Sequence, residues 1–237
     1  MARRGRPWAV VITIAVSALV AASALAASAA LRHRDRTTVA ADTTPTTATT
    51  TPGVGVDGCV KAPCEVLADT PVGGTRVQLL ADAGGASGRL RIGGAGASKV
   101  IEATITSMGA TLGRDSLQCV AGTLSACLLR GQSAEGVVGQ VVAGRSGSWS
   151  ELPQPFLSDA GYLALADVTK DVGPQILVAQ HRCDRKTTPD CSGTSVYVRV
   201  YNLSSQELGC TANYKRLESL PGWPVVTLKA ENLQDCV

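Results

Sequence analysis

The sequence predicts an all-β domain of antiparallel strands, either a small propeller-like fold or a sandwich, stapled by disulfides. Three observations predict it. From residue 59 onward, short runs rich in Val, Ile and Leu are divided at close intervals by Gly, Asp, Ser and Pro. No helix signal in that region is strong. All eight cysteines (Cys59, Cys64, Cys119, Cys127, Cys183, Cys191, Cys210 and Cys236) fall there, an even number, as a disulfide framework in an oxidising compartment requires.

Residues 1–36 read as a targeting element. Arg3, Arg4 and Arg6 form a basic head, and residues 8–31 follow without a single charge. At about 1.5 Å per residue, a helix of that length exceeds the roughly 30 Å hydrocarbon core of a bilayer. The run is therefore long enough for a transmembrane signal anchor. A cleaved signal peptide is the alternative, because Ala24-Leu25-Ala26 and Ala27-Ser28-Ala29 are both small-x-small cleavage sites. Arg32, Arg34 and Arg36 flank the far end of the run, so the distribution of basic residues does not orient it.

Residues 37–58 form a linker. Nine threonines and two prolines, with no apolar side chain larger than valine, cannot bury enough surface to offset the entropy of ordering the chain. The segment is expected to stay disordered and to act as a stalk, O-glycosylated or as a plain spacer. Of the 22 basic and 19 acidic residues, six and three respectively precede Cys59, so residues 59–237 hold sixteen of each. A domain without excess positive charge lacks the electrostatic footprint of a nucleic-acid binder, and that class is excluded.

Within residues 59–237 the expected strands are 65–68, 76–81, 89–92, 100–106, 117–120, 126–130, 137–143, 162–168, 175–181, 195–201, 207–210 and 224–228. The segments 203–208 and 217–220 could instead form short helical turns. Eight cysteines allow about 105 connectivities. Local spacing favours Cys59–Cys64, Cys119–Cys127, Cys183–Cys191 and Cys210–Cys236. Cys119 and Cys127 lie symmetrically about Thr123, as two facing strands joined by a short loop require, and Cys183 and Cys191 bracket a polar loop containing Pro189. Zinc spacing is absent: no C-x-x-C occurs, and His181 is the only histidine of the domain. Between Cys59 and Ser148 there is no Phe, Tyr or Trp, so the C-terminal half is expected to hold the better-anchored core.

The central stretch carries the most chemistry. Asp167-Val-Thr169-Lys170-Asp171-Val172-Gly173-Pro174-Gln175 links two expected strands, and carboxylates at alternate turn positions can converge on a cation. This turn resembles the FG-GAP/VCBS type of propeller repeat, whose blades carry an Asp-x-Thr-Gly-Asp-Gly-x-Pro-Glu turn. The match is at Asp167, Thr169, Asp171 and Pro174, within one repeat of about residues 161–210. Lys170 and Val172 stand where the family has glycines, and Gln175 replaces a carboxylate. The resemblance implies a propeller blade and a calcium site at Asp167, Thr169 and Asp171; the departures favour a turn without metal. The Ala-, Val- and Thr-rich composition is similar to that of secreted or membrane-anchored proteins of high-GC Gram-positive bacteria.

In the strand at 195–201, a period of two puts Tyr197, Arg199 and Tyr201 on one face and three valines on the other. Two tyrosines about an arginine can stack a sugar ring or grip a peptide, or they can pack beneath a neighbouring segment. Enzyme signatures are sparse. A catalytic triad would have to use His181, and Gly131-Gln132-Ser133-Ala134-Glu135-Gly136 is one residue too long for a nucleophile elbow. The glycine-rich run 93–99 lacks the Gly-Lys-Ser/Thr order of a phosphate loop. The sequence thus predicts a non-catalytic extracytoplasmic domain tethered to the cell membrane through its N-terminal segment. It would bind or scaffold a cell-envelope polysaccharide or protein, with no cofactor apart from calcium at the acidic turn. The alternative is a secreted hydrolase or a hydrolase accessory domain.

Overall fold

Short apolar runs separated by tight turns pair with their nearest neighbours in sequence, and the computed structural model shows this outcome three times over. Residues 61–93, 99–183 and 191–236 are described; all belong to the unit Pro52–Val237. The first sheet holds β1 (Glu65–Val72), β2 (Thr75–Ala81), β3 (Gly88–Ile92) and β4 (Lys99–Glu102). The second holds β5 (Leu117–Val120), β6 (Ser125–Ser133), β7 (Gly136–Arg145), β8 (Ser148–Glu151) and β9 (Phe156–Ser158). The third holds β10 (Leu163–Ala166), β11 (Gln175–His181), β12 (Val196–Tyr201) and β13 (Glu207–Cys210). Every pairing is antiparallel. In each sheet the spatial order follows the chain. The outer strand of the second sheet is split: β8 and β9 pair with successive parts of β7, and Pro153 and Pro155, which lack an N–H, lie in the gap.

The strand period of two sorts side chains into three cores. Val77, Leu79 and Ala81 of β2 and Leu90 and Ile92 of β3 pack with Cys127 and Leu129 of β6 and Val138 and Val142 of β7. The opposite face of the second sheet presents Ala126, Leu128 and Val141 to Leu163, Leu165, Ile176 and Val178 of the third. Because both faces of β6 and β7 are covered, these strands read as almost continuous apolar runs. The far face of the third sheet, with Leu177, Ala179, Val196, Val198 and Val200, is covered by Leu220, Val226 and Leu228 of the C-terminal tail.

Glutamine side chains fasten one sheet to the next. Gln118 of β5 donates from Nε2 to the Leu165 carbonyl and accepts from the Leu165 N–H, both at 3.0 Å, so its amide acts as an extra peptide unit beside β10. Gln140 of β7 is 2 % exposed; it donates to the Glu102 carbonyl and accepts from the Thr104 N–H, both at 2.8 Å. Each satisfies backbone groups that would otherwise be stranded between sheets.

The tail folds back on itself after β13. Tyr214 exchanges two 2.8 Å hydrogen bonds with Val196, and Gln234 exchanges two with Cys210. Between them it crosses the face of the third sheet, and the disulfide Cys210–Cys236 closes the loop.

The structure departs from the sequence reading at particular places. The run 100–106 is strand only to Glu102; Thr104–Met108 is a 3-10 helix that buries Ile105. Gln140 takes the backbone groups on either side of Ala103, which removes them from any further ladder. Residues 224–228 form no strand: Pro224 has no N–H to donate, and the Val226 N–H goes to the Tyr162 hydroxyl at 3.0 Å. β8 and β9, four and three residues long, are too short to show an alternating pattern in the sequence. Leu217–Ser219 is a 3-10 turn, whereas 203–208 turns at Ser205 (φ 61°) and enters β13. Among the described residues, the aliphatic core between the first two sheets buries more side chains than either of the other two. It takes its one aromatic, Trp149, from β8, whose indole packs where a Cβ on Gly144 would come within 2.5 Å of it.

Among the described residues no helix is long and apolar enough to cross a membrane. Residues 8–31 and the linker 37–58 lie outside the described residues, as do Cys59 and most of the glycine-rich run at 94–98.

Candidate ligand cleft

The turn that follows the first 3-10 helix, the C-terminal end of β6 and the start of β10 meet around a cavity of about 480 Å³. This lies inside the roughly 300–1,000 Å³ typical of small-molecule sites. Its polar lining comes from Thr111, Asp115, Ser116, Arg130 and Gln132; its apolar lining comes from Val137, Tyr162, Leu163 and Pro224. Local chemistry fixes that shape. The Gly113 N–H donates to Ser116 Oγ at 2.8 Å, closing a tight turn, and the Arg130 N–H donates to the Ser116 carbonyl at 2.8 Å. Thr111 bridges to Gln132, and a Cβ on Gly131 would come within 2.6 Å of the Thr111 carbonyl oxygen, so only glycine permits the approach.

Arg130 is the central group of the cleft. It is half-buried, and its Nη1 donates to the Leu163 carbonyl, which orients the guanidinium across the gap between the second and third sheets. Among the described residues it makes no ion pair with a carboxylate. A guanidinium has five N–H donors, so one bond to a carbonyl leaves most of them for a ligand. Asp115 also lines the cleft; it is solvent-exposed and forms no ion pair among the described residues. Burial pushes the Tyr162 phenol above its ordinary range, against the opposing influence of the Val226 N–H and the Arg130 charge. The phenol therefore keeps its proton and can donate as well as accept. The tail completes the lining with Pro224, and the preceding Trp223 packs against Tyr162 with ring centroids 5.7 Å apart and planes tilted by 52°.

The tyrosine–arginine stripe lies on the face of the third sheet turned toward the second. Val196, Val198 and Val200 are buried on one face and Tyr197, Arg199 and Tyr201 half-buried on the other, so the alternation is as read from the sequence. Each member has internal partners. Tyr201 packs on Phe156 at 5.3 Å, and the Tyr197 hydroxyl donates to Gln180 Oε1 at 3.1 Å. Arg199 pairs with Glu207 at 3.5 Å and lies 6.0 Å from the Tyr197 ring centroid. Burial works to lower the Arg199 pKa; the surrounding tyrosines and Glu207 outweigh it, and the net direction is upward. Tyr201 also lines a smaller crevice of about 220 Å³ with Phe156, Val178, Gln180 and Ser205.

The acidic turn is held by its own side chains. Asp167 Oδ1 accepts from the Lys170 N–H at 3.0 Å, and Asp171 Oδ2 accepts from the Thr169 hydroxyl at 2.6 Å. Gln175 Oε1 accepts from the N–H groups of Val168 and Thr169 while Nε2 donates to the Gly173 carbonyl. A carboxylate at position 175 could accept but not donate. The glutamine that departs from the repeat pattern therefore closes the turn in a way the acidic residue could not. The turn rests on the second sheet through the Leu124 N–H, which donates to the Val172 carbonyl at 3.2 Å.

Three of the expected disulfides are present: Cys119–Cys127, Cys183–Cys191 and Cys210–Cys236. The first joins residues directly opposite one another in β5 and β6. The pairing of Cys59 with Cys64 lies outside the described residues. The three bridges fit an oxidising, extracytoplasmic environment. His181 lines neither cavity; its backbone N–H donates to Asp159 Oδ1 at 2.9 Å. The sequence reading singled out neither Arg130 nor Asp115, Tyr162 or Trp223 as site residues. The available signal was Arg130 itself, a charged residue directly following the buried run Ala126, Cys127, Leu128 and Leu129.

No protein-family model, curated protein or solved structure matches the chain.

Proposed function

We propose that the chain is an exported, membrane-tethered module that binds a small, acceptor-rich ligand in the Arg130 cleft and carries out no catalysis. The observation that carries this reading is the half-buried guanidinium, held by one carbonyl and free of acidic partners among the described residues, in a cleft of small-molecule size. The charge-free run at 8–31 and the threonine-rich stalk at 37–58 support export and tethering, and the three disulfides agree with that address.

The architecture is propeller-like. Three meanders pack face to face, and their first strands, β1, β5 and β10, lie beside one another as the inner strands of neighbouring blades do. The acidic turn between β10 and β11 occupies the position in which an FG-GAP/VCBS-type blade carries its turn, which supports a degenerate, metal-free descendant of that pattern.

A thermal-shift screen of the full-length chain in detergent, with a panel of small organic acids and sugars, tests the function. At least one acid is expected to raise the melting temperature of the wild type and not of Arg130→Gln. An equal shift in both proteins, or none across the panel, contradicts the reading.

A further inference from the structure

The cleft is lined by groups of two kinds, and a partly exposed aromatic ring contacts one of its lining residues. Among them are a guanidinium (Arg130), a carboxylate (Asp115) and a hydroxyl (Thr111), together with the Tyr162 ring and Pro224. A pyranose has the same division: a rim of hydroxyl groups that both donate and accept, and an apolar face of C–H bonds. A carboxylate on that ring matches the planar fork of Arg130.

An extended peptide would need backbone partners along the cleft, and those groups are already engaged. The Thr111 N–H donates to the Gln132 carbonyl, the Arg130 N–H to the Ser116 carbonyl, and the Leu163 carbonyl accepts from Arg130. Strand addition is thus not on offer, and recognition falls to side chains.

Trp223 extends the surface. It is 36 % exposed, one of few large apolar side chains left open among the described residues, and its ring meets that of Tyr162 at 52°. It is joined in sequence to one cleft residue, Pro224, and in tilted ring contact with another, Tyr162. A partly exposed indole in contact with one lining residue and bonded to another is suited to the apolar face of a second sugar ring.

We propose that the ligand is an acidic saccharide of at least two rings, one held by Arg130 in the cleft and the next stacked on Trp223. This inference rests on the cleft being the binding site. Isothermal titration of the full-length chain in detergent with galacturonic acid, tri-galacturonate, maltotriose and tri-glutamate tests it. Tri-galacturonate is expected to bind about tenfold more tightly than galacturonic acid, with no measurable binding of maltotriose or tri-glutamate. Trp223→Ala should abolish the tenfold difference, so that tri-galacturonate and galacturonic acid bind that variant with the same affinity. Arg130→Gln should lose both acids while its melting temperature stays near the wild-type value. If glutamine destabilises the fold, Arg130→Lys keeps a cation at the Leu163 carbonyl and should still weaken both acids about tenfold. Galacturonic acid bound through Arg130, with a trisaccharide affinity indifferent to Trp223→Ala, overturns the inference and leaves the cleft standing. Binding of tri-glutamate or maltotriose as tight as that of tri-galacturonate overturns the acidic-saccharide class. Failure of both galacturonates to bind the wild type removes the inference; the acid panel with Arg130→Gln then decides separately whether the cleft itself is the site.

Discussion

On the outer face of the first sheet, Asp69 accepts hydrogen bonds from Arg76 and Gln78, and Gln78 in turn accepts from Arg91. On the outer face of the third sheet, Leu177, Ala179, Val198 and Val200 lie beneath Leu220, Val226 and Leu228 of the tail. Both faces end the same series of packed sheets, but one is finished with charge and the other with more chain. A sheet that ends in water needs polar residues on its outer face, and Asp69, Arg76, Gln78, Arg89 and Arg91 supply them along β1 to β3, with Leu80 the apolar exception. A sheet whose two faces are both apolar must be covered, and the tail provides the cover. The two solutions differ in energy as well. Solvent-facing ion pairs contribute little, about 0–1 kcal/mol each, whereas burial of one aliphatic side chain contributes about 1.5–3 kcal/mol. The covered end should therefore be sensitive to substitution and the charged end tolerant.

The largest effect is expected at the cover. Leu228→Ala removes a side chain that is 3 % exposed and should cost about 2–5 kcal/mol in denaturant unfolding. A loss below about 0.5 kcal/mol would mean that the tail is not part of the core.

Next comes the fastening between sheets. Gln118→Ala leaves the Leu165 N–H and carbonyl without their amide partner and should cost about 1–3 kcal/mol. Gln118→Glu can accept from the N–H but not donate to the carbonyl, and should recover part of that loss.

The smallest effect is expected at the charged end, where it depends on pH. Hydrogen bonds from Arg76 and Gln78 hold the Asp69 carboxyl at about 2, below its ordinary 3.8. Its contribution to stability is present above the unfolded value and is lost as pH falls through about 2. Asp69→Asn should therefore lower the melting temperature slightly at pH 7 and make no difference below pH 2. A difference that grew as the pH fell would contradict this assignment.

The contrast also explains what the sequence made legible. β11 and β13 were read at their observed bounds, as was β5, because Val- and Leu-rich runs between turn residues leave one reading open. The three bridges Cys119–Cys127, Cys183–Cys191 and Cys210–Cys236 followed from local spacing. The tail was misread because Val225, Val226, Thr227 and Leu228 have strand composition, yet their backbone is committed elsewhere: Val226 to the Tyr162 hydroxyl, Thr227 to the Pro221 carbonyl. Such long-range partners leave no periodic trace. The cleft was missed for the same reason, since Arg130, Tyr162 and Pro224 converge only through sheet packing and the return of the tail. The stripe at Tyr197, Arg199 and Tyr201 was legible as a pattern, but its partners Phe156 and Gln180 were not.

The tail thus closes the third sheet and builds the wall of the cleft at once, which is the central claim about this molecule. Hydrogen exchange of the Cys210→Ala/Cys236→Ala protein against the wild type tests it most directly. Opening a loop of this sequence separation, 26 residues, removes about 3–4 kcal/mol in the chain-entropy picture. The predicted result is faster exchange at β12 and at the Val226 amide, with β2 and β3 unchanged. Undiminished protection at both, or an equal loss in the first and third sheets, would contradict the claim.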